Sequence, residues 1–222
     1  CKEVEINMLV INFKTYASAT GQKAVDLARI CDKVAHEVKV PILIAVQNVD
    51  LFRVARQVSI PVLAQHIDPV VYGSHTGHDL AEAILENGAY GVLIDHSEDR
   101  VSLDNIKQSI DRAKSVGLLT IVCVDTPKKA SQVSKFSPDY IAIEPPELIG
   151  GDISVSTAKP EIISDTVAVV NNVPVLCGAG VKSKDDVSKS KELGSKGILI
   201  ASGVTKANNP EKVIRELVKG FL

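Results

Sequence analysis

At 222 residues, 45% of them hydrophobic and 23% charged, the chain can bury one sizeable core, and its length alone allows one domain or two small ones. A net charge of −2 argues against a nucleic-acid or anionic-membrane surface, and no apolar run approaches the ~18 residues needed to span a bilayer. Cys1, Cys31, Cys123 and Cys177 form no C-x-x-C pair and no metal-ligand spacing; Cys31, Cys123 and Cys177, in a helix and two apolar strands, read as small buried hydrophobes of a reduced, cytoplasmic protein.

Residues 1–7 precede the first apolar run and read as a dispensable extension ahead of Met8. Strands are predicted near 9–13, 42–46, 61–65, 91–95, 119–124, 140–144, 174–177 and 197–201. Each is a near-continuous run of Val, Ile, Leu and Ala, the pattern of a parallel sheet covered on both faces. Helical periods run between them: Ala24, Leu27, Ala28, Cys31 and Val34 form one apolar stripe, and Leu103, Ile106, Ile110 and Ala113 another. Ser183 with Asp186 predicts a capping box, Leu193-Gly194 the end of that helix, and Pro210 after Asn209 the first turn of the last one. Lys128-Lys129 and Lys182 to Lys184 read as solvated helix starts.

No linker interrupts the alternation, so the expected fold is α/β, a single-domain (βα)8 barrel over residues 1–222. An open doubly wound sheet would need no eighth strand. Such barrels typically take ~250 residues, so the helices should be trimmed, most visibly at 128–136.

The candidate reactive residues fall where strands end, on the rim where barrels of this kind build their sites. Asn12 and Lys14 close the first strand, and side-chain alternation is expected to put both on one side of its end. A lysine there can hold an anionic substrate and stabilise developing negative charge. His96 follows the fourth strand, and a helix starting just after it would hold the ring neutral. Glu98 reads as a partner for Lys14. Glu144 ends the sixth strand, and Pro145-Pro146 followed by Gly150-Gly151 suggests a hinged loop carrying or covering a base. Gly178-Ala179-Gly180 and Ala201-Ser202-Gly203 follow the seventh and eighth strands, where backbone N–H groups often cradle phosphate. His66, Asp68, His75 and His78 form a rival, metal-like constellation, but Pro69, Gly73 and Gly77 make that stretch a loop without helical ligand geometry.

Taken in order, these segments resemble the triosephosphate isomerases, and closely their short archaeal form, from about Ile11 to the C-terminus. The resemblance rests on Asn12-Phe13-Lys14-Thr15-Tyr16, Gln65-His66-Ile67-Asp68, Gly73-Ser74-His75-Thr76-Gly77-His78 and His96-Ser97-Glu98. Glu144 to Gly150, Leu176 to Gly180 and Ala201-Ser202-Gly203-Val204 complete it. It implies an aldose–ketose isomerase that interconverts dihydroxyacetone phosphate and glyceraldehyde 3-phosphate without metal or organic cofactor. It further implies that Asn12, Phe13 and Lys14 bind and polarise substrate, that His96 is a neutral electrophile and that Glu144 is the base. The backbone around Ile149, Gly180, Ala201 and Ser202 would grip the phosphate, and Glu98, Ser97 and Thr76 would support the site. The loop containing Thr76 would insert into a neighbouring subunit, giving a homodimer or homotetramer. Two departures stand out: Asp95 where the family commonly has Asn, and Gly150-Gly151-Asp152 where archaeal relatives commonly read Gly-Thr-Gly. Three rival readings share parts of the pattern: a barrel aldolase, another phosphosugar isomerase and a catalytically inactive barrel scaffold. An aldolase would want a Schiff-base lysine in mid-barrel.

Overall fold

Every predicted apolar run forms a strand within one residue of its expected ends in the structure, a computed structural model that describes residues 7–145, 148, 154–170 and 173–222. The strands are β1 (Met8–Asn12), β2 (Ile42–Val46), β3 (Val62–Ala64), β4 (Gly91–Ile94), β5 (Leu119–Val124), β6 (Tyr140–Ile143), β7 (Val175–Gly178) and β8 (Gly197–Ile200). They pair in parallel and in chain order, and β8 returns to β1 through Met8↔Gly197 to Ile11↔Ile200, so the sheet closes into a barrel. The helices are α1 (Gln22–Glu37), α2 (Asn48–Ala55), α3 (Ala81–Glu86), α4 (Leu103–Ser115), α5 (Pro127–Ser134), α6 (Val155–Ala158), α7 (Pro160–Val169), α8 (Lys184–Glu192), α9 (Ser202–Thr205) and α10 (Pro210–Val218). The expected trimming is real: α3 has six residues, α5 eight, and α6 and α9 four each.

The period-two alternation of strand side chains divides the core into two layers. Met8, Val10, Leu43, Ala45, Leu63, Leu93, Ile121, Cys123, Ala142, Leu176 and Leu199 fill the barrel interior. Leu9, Ile11, Ile44, Ile94, Ile143 and Cys177 point outward, against the helices. The stripe Ala24, Leu27, Ala28, Cys31 and Val34 meets them from α1, and Ile106, Ile110 and Ala113 do so from α4, with Leu103 only partly covered. Phe13 continues the outward register and is wholly buried in this outer layer, which takes its side chain away from the substrate face.

Local signals hold at the helix ends. Ser183 and Asp186 form the capping box of α8, and Gly194 follows its C-cap with φ 98°. Asn209 caps α10 with Pro210 in its first turn. Cys31, Cys123 and Cys177 are buried free thiols; burial pushes Cys31 and Cys177 up to about 12, and Cys123 well above the ordinary thiol range. No helix among the described residues is long and apolar enough to cross a membrane.

Candidate active site

At the carboxyl ends of the strands a cavity of about 210 Å³ is lined by Asn12, Lys14, Tyr16, His96, Glu98, Glu144, the turn from Ala179 to Lys182, and Leu199 to Gly203. That is below the ~300–1,000 Å³ of pockets for drug-sized ligands, and it suits a small polar substrate. Residues from β1, β4, β6, β7 and β8 thus converge as the strand-end positions require.

Asn12 reaches the cavity by ordinary alternation, continuing the inward series Met8, Val10. Lys14 does so differently: it has φ 49°, a left-handed turn that ends the strand. The turn is held because Asn12 Oδ1 accepts the Lys14 N–H at 3.0 Å, and Gln65 Nε2 donates to both Asn12 Oδ1 and the Lys14 carbonyl at 3.1 and 3.2 Å. Gln65, to which the sequence alone gives no role beyond its motif, thus braces the lysine turn. Lys14 Nζ donates to Glu98 Oε1 at 2.7 Å, the ion pair expected from the sequence.

His96 owes its place to its neighbour. By alternation Leu93 faces in, so residue 95 should face in and residue 96 out. Asp95 instead takes φ 60°, a left-handed conformation that Asp tolerates better than most residues, and the order reverses. The Asp95 carboxylate, fully enclosed, turns to Arg100 Nη1 at 2.9 Å, Lys129 Nζ at 2.6 Å and the Val101 N–H at 3.0 Å. The departure at this position therefore places a neutralised charge, aimed away from the imidazole. Lys129 is accordingly an ion-pair partner, and the reading of Lys128-Lys129 as a solvated start fails at that residue. Lys182 to Lys184 is exposed at the start of α8, as read from the sequence, and Lys182 also lines the cavity.

The His96 ring is buried, and its Nδ1 accepts the Glu98 N–H at 3.2 Å. An imidazole nitrogen that accepts is unprotonated, so the proton sits on Nε2, which faces the cavity. The cause differs from the one expected: α4 begins only at Leu103, and a single turn amide sets the tautomer. Glu144, also buried, holds Oε2 at 3.7 Å from His96 Nε2, and among the described residues this oxygen has no hydrogen-bond partner. The Glu144 carboxyl and the His96 Nε2 thus face one cavity at a separation too long for a hydrogen bond.

Gly178, predicted as part of a phosphate turn, has another task. A Cβ there would lie 2.4 Å from Glu144 Cγ, so the carboxylate side chain occupies the space that glycine leaves open. Beyond it Ala179 and Gly180 have φ 73° and 72°, and this tight turn presents its backbone to the cavity opposite Ser202 and Gly203.

The remaining predicted residues divide. Ser97 follows His96 but does not line the cavity, and its Oγ is buried and unpartnered among the described residues. Thr76 sits in an exposed stretch, 71–78, away from this cavity. The expectations for Ile149 and for Gly150-Gly151-Asp152 lie outside the described residues. His66 and His78 both pair with Asp68 Oδ1 at 3.3 Å, and His66 Nδ1 lies 3.1 Å from Asp99 Oδ2. Burial alone would raise Asp68, but the Asp79 N–H and the two histidines hold its carboxyl below the usual range.

The family model for triosephosphate isomerase matches residues 7–218. The triosephosphate isomerase of Methanocaldococcus jannaschii is 49% identical over 216 residues, covering 96% of this chain and 99% of that protein. The triosephosphate isomerase of Methanobacterium bryantii is 46% identical over 218 residues, covering 96% of each. Among solved structures, the crystal structure of triosephosphate isomerase from Bartonella henselae superposes with a TM-score of 0.75 at 20% identity, covering 94% of this chain and 98% of that one, a likeness of fold. Closed barrel, strand-end site and near-full-length relatives agree: the chain belongs to the triosephosphate isomerase family, in its short archaeal-type form.

Proposed function

We propose that this protein interconverts dihydroxyacetone phosphate and glyceraldehyde 3-phosphate through an enediolate, with Glu144 as the base. The observation that carries the reading is the unpartnered Glu144 Oε2 facing the neutral His96 Nε2–H at 3.7 Å across a small cavity. Glu144 takes the proton from one substrate carbon and returns it to the next. His96 Nε2–H and Lys14 Nζ stabilise the oxygens on which negative charge develops, and Asn12 fixes the lysine turn. The backbone of Gly180, Ala201 and Ser202 grips the phosphate, the usual use of the turns after the seventh and eighth strands. Proton transfer between adjacent carbons calls for no metal or organic cofactor. The test is a coupled assay with purified protein and glyceraldehyde 3-phosphate. Turnover establishes the isomerase and its absence favours a scaffold; borohydride trapping of substrate on a lysine would instead reveal an aldolase.

The working form is proposed to be a cytoplasmic homo-oligomer, serving triose interconversion in glycolysis and gluconeogenesis, with each subunit a single barrel domain. Residues 71–78 are all exposed, including Val71 at 58% and Tyr72 at 70%. Beside the site, a second groove of about 220 Å³ is lined by Lys14, Thr15, Gln65, His66, Glu98 and Asp99 among others. The loop bearing Thr76 from one subunit is proposed to fill that groove on the next. Sedimentation equilibrium distinguishes dimer, tetramer and monomer.

A further inference from the structure

The Ala179–Gly180 turn is strained, yet it forms one wall of the cavity. Ala179 is a non-glycine residue at φ 73°, a conformation that persists where surrounding structure over-determines it. Asp186, in the first turn of α8, supplies that determination. Its Oδ2 accepts the N–H groups of Lys182 and Ser183 at 3.1 and 3.0 Å and the Ser183 hydroxyl at 2.9 Å. Its Oδ1 accepts the hydroxyl of buried Ser154 at 2.5 Å, and its carbonyl accepts that of buried Ser156 at 3.2 Å. The Val155 N–H, one residue on from Ser154, donates to the Ala179 carbonyl at 3.3 Å. One carboxylate therefore ties the exit of the cavity turn to the chain that enters α6.

We propose that Asp186 is a positioning residue for phosphate binding, holding the Ala179–Lys182 turn in place through its bonds to Lys182, Ser183 and Ser154. The capping box accounts for its bonds to Ser183, but a cap needs neither the Lys182 amide nor Ser154. The bond to Ser154 crosses between elements and adds nothing to α8 itself. Asp186 touches no substrate. It sets where the Gly180 backbone points, so its loss should weaken binding of the dianion far more than it slows proton transfer at Glu144. This rests on the isomerase reading of the site.

The test is steady-state kinetics of the full chain, with inorganic phosphate as competitive inhibitor. Asp186→Ala is expected to raise both the phosphate Ki and the substrate KM roughly tenfold, the scale of one lost charge-assisted hydrogen bond, with kcat little changed. Asp186→Asn, which keeps an acceptor for the two amides, should recover most of that loss. Ser154→Ala leaves the cap intact and should shift Ki in the same direction by a smaller factor. A merely structural role would lower Tm and leave Ki where it was. An unmoved Ki in folded Asp186→Ala overturns the proposal, and if that variant does not fold, an unmoved Ki in Ser154→Ala does so. An inactive wild-type protein would overturn the isomerase reading itself, an outcome distinct from active enzyme with unmoved Ki.

Discussion

Glu144, the proposed base, packs its side chain over the bare Cα of Gly178. Shortening it in Glu144→Asp withdraws the carboxylate by roughly 1 Å, and turnover should fall about 10²-fold with fold and phosphate binding retained. Gly178→Ala approaches the same geometry from the other side: its Cβ would meet Glu144 Cγ at 2.4 Å, so the carboxylate must move. A loss of about 10- to 10²-fold in kcat is expected there with phosphate Ki unchanged, and normal kcat would show that Glu144 has a second productive position. His96→Asn should cost about 10²–10⁴-fold, the range for a positioned proton-transfer side chain. The tautomer is checked separately by ¹⁵N NMR of the wild-type imidazole, which should carry its proton on Nε2; a proton on Nδ1 would contradict the Glu98 N–H bond. Lys14→Met removes the cation paired with Glu98, and a rate loss of about 10²–10³-fold is expected, together with weaker phosphoglycolate binding. Unaltered affinity for that ligand would remove Lys14 from the charge clamp.

At the scale of elements, the end of β4 is fixed by an ion cluster shared with α5. Asp95→Ala would leave Arg100 and Lys129 without their enclosed partner, and removing one member of a buried pair typically costs about 3–5 kcal/mol. Lys129→Met keeps the Arg100 contact and should cost less, about 1–3 kcal/mol. Urea unfolding of both variants checks the order; equal, negligible losses would mean the cluster does not hold the strand end. This cluster also marks the boundary of what the sequence makes legible. The strands were readable because burial on both faces leaves runs such as Gly91-Val92-Leu93-Ile94, and the caps of α8 and α10 because they are local. Glu144, His96 and Lys14 were readable as strand-end residues. The reversal at Asp95 was not, because a left-handed residue there needs Arg100 and Lys129 brought in by tertiary structure. For the same reason Phe13 looked like a substrate residue and is core, while Gln65, quoted only within a motif, braces the lysine turn. The task of Gly178 was hidden too, since only packing brings it under Glu144.

For the molecule as a whole, several carboxylates tie elements together while ionised. Asp32 of α1 accepts the Ser59 and Ile60 N–H groups and the Ser59 hydroxyl, anchoring the approach to β3. Burial works against ionisation at Asp32, Asp68 and Asp186, but hydrogen bonds outweigh it and hold all three below the usual carboxylate range. A depressed folded-state value gives stability that is present above the unfolded value, near ~3.9, and is lost as pH falls through the folded one. The urea midpoint should therefore change little from neutrality down to about pH 5 and decline below about pH 4. Asp32→Asn should lower the midpoint at neutral pH and shrink its further loss on acidification; a parallel decline in variant and wild type would exclude Asp32 from the acid response.

Closure of the barrel by β1 against β8 bears on how the protein is made. The lysine turn leaves the ribosome long before the Ala201-Ser202-Gly203 turn, yet they face one cavity. Until Gly197–Ile200 has been synthesised, β1 lacks one neighbour, and its open edge is a template for pairing with other nascent chains. The pocket is thus complete only once β8 has been made: a chain halted before it holds Lys14, His96 and Glu144 but not the wall from Leu199 to Gly203, so a barrel interrupted there exposes an open strand edge and an unfinished cavity.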